Sequence, residues 1–254
     1  MTSQVVCIGD THFQSGHWRN PDRIASMEQI VREGLAMPNL GAFLHLGDMW
    51  HARPNDDDLE TVAGFVQRMA DAAPTVLLLG NHGAAGYTQL LRRLKAKWPI
   101  IVIETPQVVM VQTATGETLR IAAIPYPQKS QLVAAGVAPS DIKREAERAL
   151  DTICMQLAAE LQATSGPAML IGHATIAGAT TSIGQPMGIE HDIAVTAPML
   201  ARFGNVPIVF GHVHLGQELY GAIYAGSIAA NDWGETSPRR HVVVEFSQDE
   251  ESVA

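Results

Sequence analysis

Five short fragments place reactive side chains directly after apolar runs, each with a glycine at the junction. The side chains are those of Asp10, His12, Asp48, Asn81, His82, His173, His212 and His214. Each apolar run reads as a buried strand, and α/β sheets place their chemistry at the carboxyl ends of strands. Carboxylate, amide and imidazole ligands together suit manganese, iron or zinc. The set therefore predicts two metal ions.

Two ions ~3.5–4 Å apart hold the attacking and leaving oxygens of an in-line displacement and supply hydroxide near neutral pH. One carboxylate must bridge such a pair, and hydrolysis of a phosphate ester is the reaction that needs it. Each fragment alone is a weak signal, and a lone Gly-Asn-His is as often structural. The prediction depends on all five fragments, each at the end of an apolar strand.

The N-terminal half alternates strands with helices. Val5–Gly9, Ala42–Leu46 and Thr75–Leu79 are short buried runs, and Ile24–Leu35 and Leu59–Met69 carry apolar residues at helical spacing. This alternation predicts a largely parallel sheet with helices outside. The acidic run of residues 56–58, just before the helical pattern of Leu59–Met69, is interpreted as helix capping rather than metal binding.

The second half is richer in strands and indicates a second sheet. Further predicted elements are strands at Ile100–Ile103, Gln107–Gln112, Leu119–Ile124, Ala168–Ile171 and Pro207–Phe210, and a helix over Ser140–Gln162.

Length and composition suit one α/β domain over residues 1–254, since 254 residues with 46% hydrophobic content bury a substantial core. Cys7 and Cys154 match no zinc or redox spacing and indicate packing in a reducing compartment. No run reaches the ~18–20 apolar residues of a membrane helix, and no basic region precedes the first strand. We therefore expect a cytoplasmic protein without membrane contact. The net charge of −9 argues against binding DNA through an overall field.

With these motifs the sequence resembles the calcineurin-like metallophosphoesterase superfamily. Its signature is Asp-x-His, Gly-Asp, Gly-Asn-His, Gly-His and Gly-His-x-His, and all five stand here in order, over a likeness from Asp10 to at least Ser227. The resemblance implies a four-layer α/β/β/α sandwich with a dinuclear metal centre, manganese being favoured over iron or zinc.

The resemblance also implies a role for each motif residue. Asp48 would bridge the metals, and His82 would face the phosphate, donating to its oxygen or protonating the leaving group. The remaining ligands would be Asp10, His12 and His214 for the first metal, and Asn81, His173 and His212 for the second.

Within the superfamily, the likeness is greatest to SbcD-type nuclease subunits of DNA double-strand-break repair. Four runs support it: residues 45–51, 123–126, 224–227 and 232–235, together with Arg53-Pro54. In that family the position of His51 supports the phosphate beside the catalytic histidine. The alternative for His51 is an ordinary loop histidine.

Two features depart from that family. Gly83 follows Asn-His where an acidic residue is usual, so a residue that orients the site is lost and His51 would have to compensate in part. The chain also ends without the usual DNA-capping domain and the segment that binds a coiled-coil ATPase, so such a partner is predicted only weakly.

The leading prediction is a manganese-dependent DNA exonuclease or endonuclease. The alternatives are a phosphatase or cyclic-nucleotide phosphodiesterase on the same fold, which the acidic charge favours, and a non-catalytic scaffold. The apolar face of the helix at Ile24–Leu35 would serve a homodimer or equally the core. The residues predicted to contact nucleic acid are Arg19, Arg23 and Arg53, which follow metal-bearing strands, and Arg92 and Arg93.

Overall fold

The structure, a computed structural model, describes residues 2–82, 85–127, 138, 141–181, 185, 193–231 and 233–247. The helices in these ranges are α1 Asn20–Ala36, α2 Asp56–Ala72, α3 Ala85–Leu91, α4 Ile142–Gln162 and α5 Ala197–Ala201. The strands are β1 Thr2–Ile8, β2 Leu40–His45, β3 Thr75–Leu78, β4 Ile100–Ile103, β5 Gln107–Gln112, β6 Thr118–Ile124, β7 Ala168–His173, β8 Thr175–Ile176, β9 Ala194–Val195, β10 Ile208–Gly211, β11 Glu218–Leu219, β12 Ala222–Tyr224 and β13 Val242–Ser247.

Two sheets carry most of these strands. The first has the order β13-β1-β2-β3-β4, in which β1 to β4 run parallel and β13 is antiparallel to β1. The second has the order β11-β12-β10-β7-β6-β5, with a parallel centre of β12, β10, β7 and β6. Parallel neighbours present their carboxyl ends at one edge, so residues distant in sequence are brought together there.

Side-chain alternation along each strand sets the layers. In β1, Val5 and Cys7 face the second sheet, whereas Val6 and Ile8 pack with the apolar faces of α1 and α2. Each aliphatic side chain buried in this way contributes roughly 1.5–3 kcal/mol. The same alternation in β7 points Ile171 between the sheets.

The other face of the second sheet is covered by α4. Leu170 of β7 packs in a core cluster with Leu150, Cys154 and Leu157 of that helix. The order is therefore helices, sheet, sheet, helix, and the predicted four-layer α/β/β/α sandwich is confirmed. Both cysteines lie buried in apolar clusters, and burial raises the pKa of each thiol to about 12.

Helix α2 begins with a reciprocal cap. The Asn55 side chain accepts the Asp58 backbone N–H at 2.9 Å, and the Asp58 carboxylate accepts the Asn55 N–H at 3.1 Å. Asp58 is buried and also accepts the Ser15 N–H at 2.5 Å. The acidic run thus caps the helix through Asp58, but the N-cap residue itself is Asn55.

Helix α1 uses its apolar face inside the molecule. Met27, Ile30 and Val31 are buried against the first sheet, while Ile24 and Leu35 remain exposed. The structure thus favours the core alternative for this face, and homodimerisation stays a prediction. None of the helices in the described ranges has the length and apolar character needed to cross a membrane.

Candidate metal centre

The predicted ligands converge where the carboxyl ends of both sheets meet. In the first sheet, β1 is followed by Asp10 and His12, and β2 by Asp48. The third strand, β3, is followed by Asn81 and His82. β7 and β10 deliver His173, and His212 with His214, from the second sheet. All seven predicted ligands lie at this edge, and their roles as ligands stay predictions.

The first group consists of Asp10, His12 and His214, whose ligand atoms lie within 4.8 Å of one another. The Nε2 atoms of His12 and His214 face each other at 3.0 Å. Both Asp10 oxygens accept the His212 backbone N–H, at 3.0 and 3.1 Å, which fixes the carboxylate.

The second group consists of Asp48, His173 and His212, again within 4.8 Å. The Asn81 Oδ1 joins it, 2.9 Å from His173 Nε2 and 2.8 Å from His212 Nδ1. His173 Nδ1 donates to the Leu46 carbonyl at 2.7 Å. This bond orients the ring so that Nε2 faces the group.

Asp48 lies between the two groups. Its Oδ2 is 3.3 Å from His173 Nε2 and 3.8 Å from His12 Nε2, one nitrogen from each group. Its Oδ1 accepts the His82 backbone N–H at 2.8 Å, so Oδ2 alone is directed at both groups. This is the placement required of a bridging carboxylate.

The donor set fits metal ions. When two atoms bind one ion at about 2.1 Å each and the ligand–metal–ligand angle is about 90°, the two atoms are about 3 Å apart. The 3.0 Å separation of the His12 and His214 Nε2 atoms matches that value. Oxygen and imidazole donors suit manganese, iron or zinc, and do not by themselves distinguish among them.

Burial and neighbouring charge shift the pKa values of these groups. Burial lowers the pKa of His12 well below its ordinary value, and neighbouring imidazoles lower it further although Asp48 opposes them. For His173, burial also acts downward, but Asp48 and Asp10 outweigh it and raise the pKa to about 9. Burial acts to raise the pKa of Asp48, yet His173 and His12 hold it well below its usual range. Asp48 is therefore ionised across the accessible pH range.

The two predicted catalytic histidines lie beside the first group. The rings of His82 and His51 stack at 5.3 Å, and the rings of both lie 5.0–5.4 Å from that of His12. His82 Nδ1 donates to the His51 carbonyl at 2.7 Å, which orients the ring and leaves Nε2 available. The His51 carbonyl thus occupies the orienting position beside His82, and compensation for the missing acidic residue stays a prediction, since Gly83 itself lies outside the described residues.

Close packing explains two of the motif glycines. A Cβ on Gly80 would lie 2.0 Å from Asp48 Oδ1, and one on Gly47, at φ +109°, would lie 2.2 Å from His173 Nδ1. Both distances are far below van der Waals contact. Glycine at position 80 therefore lets Asp48 approach, and glycine at position 47 lets His173 approach. His12, Asp48 and His212 have φ values of 48°, 51° and 88°, and such strain is typical of functional sites.

A hydrogen-bonded network behind His214 holds that ring. The Asn231 side chain lies 2.9 Å from His214 Nδ1, and the buried Glu235 carboxylate 3.4 Å from it. Burial lowers the pKa of His214, but Glu235 and Asp10 outweigh it, and the pKa is raised. Glu235 belongs to the run of residues 232–235 that resembles SbcD-type nucleases, whereas no sequence motif pointed to Asn231. Asp232, of the same run, lies outside the described residues.

Arg23 does not fit its predicted role. The side chain is 1% exposed, and its guanidinium donates to the His12 carbonyl and, at 2.7 Å, to Asn231 Oδ1. It cannot reach a nucleic-acid backbone, so the prediction is wrong for this residue. Instead, Arg23 binds the backbone carbonyl of the predicted ligand His12. It also binds Asn231, which contacts the predicted ligand His214.

The other predicted contact residues are accessible. Arg19 is part-buried and pairs with Asp22 at 2.9 Å, and Arg53 is exposed and donates to the Tyr87 hydroxyl at 3.0 Å. Arg92 and Arg93 are exposed just after α3, where the chain turns from the site toward the amino end of β4. Their contact with nucleic acid stays a prediction.

Comparisons with known proteins agree with the geometry. The family model for calcineurin-like phosphoesterases matches residues 3–216. No curated protein sequence matches the chain.

Two solved structures share the fold at low identity. One is a Staphylococcus aureus protein provisionally assigned as a 5'-nucleotidase and solved with alpha-ketoglutarate, with TM-score 0.58 and 16% identity, over 98% of this chain and 56% of that one. This chain thus spans little more than half the length of that protein. The other is GAP50, the anchor in the inner membrane complex of Plasmodium, with TM-score 0.53 and 12% identity, over 97% of this chain and 81% of that one.

Proposed function

The chain belongs to the calcineurin-like phosphoesterase family, and we propose that it is a dinuclear metal-dependent phosphodiesterase whose substrate is DNA. The observation that carries the proposal is the position of Asp48 Oδ2, which faces a nitrogen of each ligand group at 3.3 and 3.8 Å. A carboxylate shared by both ligand groups would hold two ions close enough together to act on one phosphate.

Two bound ions would polarise the phosphate and supply hydroxide near neutral pH. Asp10, Asp48 and Asn81 would supply the oxygen ligands, and the imidazoles of His12, His173, His212 and His214 would supply the nitrogens. In hydrolysis of a diester, water adds to phosphorus and the leaving ester oxygen takes a proton. His82 Nε2 is the donor when the ring carries a proton on both nitrogens, because Nδ1 keeps its own proton in the hydrogen bond to the His51 carbonyl.

DNA is the leading substrate because of the sequence likeness to SbcD-type nucleases in the runs around His51, Tyr126, Ser227 and Glu235. The structure adds support for three of these runs. His51 lies against His82, Glu235 contacts His214, and the Tyr126 ring lies 5.4 Å from the ring of His212. The likeness thus falls on residues of the candidate centre rather than on the periphery.

A nucleotidase or phosphatase is the second candidate. The net charge of −9 favours a small substrate, because no overall field attracts a polyanion. The fold likeness to the provisional 5'-nucleotidase agrees with this alternative, although at 16% identity it reports on fold alone. A non-catalytic scaffold is the third candidate, and GAP50, an anchor, shows the same fold.

One set of assays separates these candidates. Purified protein in manganese is incubated with end-labelled single-stranded and duplex DNA, 5'-mononucleotides, a cyclic nucleotide and p-nitrophenyl phosphate, and bound metal is measured by elemental analysis. Two ions per chain with DNA cleavage support the proposal. A preference for monoesters or cyclic nucleotides would support the second candidate, and fewer than one ion per chain the third.

Asp48→Asn and Asp56→Asn form a matched pair for the same assays. Asp48 lies between the ligand groups, whereas Asp56 is an exposed residue in the first turn of α2. We expect Asp48→Asn to lose metal and cleavage and Asp56→Asn to retain both. Activity that survives Asp48→Asn comes from a contaminant or from another site.

A further inference from the structure

A continuous series of aromatic rings leads from the candidate centre to the protein surface. His82 stacks on His51 at 5.3 Å, the centroid of His51 lies 6.2 Å from that of His17, and His17 lies 5.9 Å from Trp18. Trp18 then stacks on Trp233 at 4.6 Å, with the two planes within 12°. The series therefore ends in a parallel pair of indoles.

The indole pair is exposed. Trp233 is 79% and Trp18 47% exposed, whereas Trp50, at 1%, is fully buried. Two exposed indoles in contact form a continuous apolar surface, and surfaces of this kind beside a catalytic centre are typical of binding sites.

Each indole of the pair is connected to the candidate centre by neighbouring residues. Asn231 and Glu235, on either side of Trp233 in the chain, contact the predicted ligand His214 at 2.9 and 3.4 Å. Trp18 is connected to the centre through the rings of His17 and His51. The segment that carries Trp233 is thus anchored to a predicted metal ligand on both sides of the indole, which favours a binding surface next to the centre.

A cation completes the surface. The guanidinium carbon of Arg19 lies 4.1 Å from the centroid of Trp18 and 5.2 Å from that of Trp233. Its ion pair with Asp22 at 2.9 Å is part-exposed and holds the group in place. Aromatic rings beside an arginine are the combination that proteins use for single-stranded nucleic acids.

We propose that Trp18 and Trp233 form a nucleobase platform, on which the base of a nucleotide or of a nucleic-acid strand stacks while its phosphate lies at the metal centre. This inference rests on the proposed function and names its substrate class, phosphoesters that carry a base. A sugar phosphate offers no π-face to the indoles, whereas every nucleobase does. The exposed Trp233 supplies the stacking face and Arg19 the adjacent positive charge.

Binding measured by tryptophan fluorescence tests the platform independently of catalysis. The probes are a deoxynucleoside 5'-monophosphate, a short single-stranded oligodeoxynucleotide, and an abasic oligonucleotide of the same length. We expect base-bearing probes to quench the fluorescence and to bind more tightly than the abasic one. Trp233→Ala should weaken their binding about 5- to 150-fold, the range for loss of one stacked base, and Trp233→Phe should retain most of it.

Trp98→Phe is the matched control, since Trp98 precedes β4 at the opposite end of the sheet and should not respond. Equal affinity for abasic and base-bearing probes would refute the platform. So would a Trp233→Ala variant that loses thermal stability but binds all probes as before, because the pair would then only fasten two loops.

Hydrolysis of the abasic oligonucleotide distinguishes this inference from the proposed function. If Trp233→Ala cleaves it like the wild type and loses only its preference for bases, both stand. Base-dependent quenching in a protein that hydrolyses no probe would uphold the platform and refute the phosphodiesterase. Tighter binding of the oligonucleotide than of the mononucleotide supports a strand as the ligand, and the reverse supports a free nucleotide.

Discussion

Replacing His82 by alanine should remove proton donation and leave the metal ligands intact. His82 contributes only its backbone N–H to Asp48, at 2.8 Å, and alanine retains that group. A positioned acid contributes about 10²–10⁴-fold, so we expect kcat to fall by that factor, equivalent to about 2.7–5.4 kcal/mol. Elemental analysis should find the same metal content in variant and wild type.

The choice of leaving group sharpens this test. The p-nitrophenyl ester of thymidine 5'-monophosphate releases a stable phenolate, whereas its methyl ester releases an alkoxide that needs a proton. His82→Ala should therefore impair hydrolysis of the methyl ester far more than that of the p-nitrophenyl ester. An equal loss on both would refute proton donation. Loss of metal would show that His82 is itself a ligand, since its ligand atom lies within 4.8 Å of those of His12 and His51.

Three further predictions follow from particular contacts. Gly80→Ala should weaken metal binding about 10–100-fold in a metal titration. The reason is that the new Cβ would lie 2.0 Å from Asp48 Oδ1 and would push the carboxylate out of place. Unchanged affinity would contradict this prediction. His173, with its pKa raised from 6.5 to about 9, is protonated in the metal-free protein at pH 7.5. Metal binding should release that proton, and affinity should rise with pH up to about 9, as calorimetry in two buffers would detect. Asn55→Ala should cost about 0.5–2 kcal/mol in denaturant unfolding, because the Asp58 N–H loses its acceptor, whereas no loss would show that water replaces it.

The raised pKa of His173 also makes the stability of the metal-free protein depend on pH. A pKa raised above the unfolded value means that the protonated ring stabilises the fold through Asp48 and Asp10. This stabilisation is fully present below about pH 6.5 and is lost as the pH rises through about 9. In the metal-bound protein the ions take over the role of the proton, since ligating imidazoles are neutral.

Local sequence patterns determined the layers and the residues at the centre. Consecutive apolar residues such as Val5, Val6, Cys7 and Ile8 point alternately to two different apolar layers, which requires a sheet covered on both sides. A glycine followed by a predicted metal ligand, at the ends of five strands, then identifies the edge at which these side chains meet. These patterns span only a few residues, so the sequence alone reveals them.

Tertiary structure alone decided how those residues are held. The sequence could place Arg23 after a metal-bearing strand but could not show that it is buried against Asn231, 208 positions away. Nor could it show that the His51 carbonyl orients His82, or that Trp18 stacks on Trp233. These contacts join side chains from separate loops, whose positions depend on the packing of both sheets rather than on any local preference.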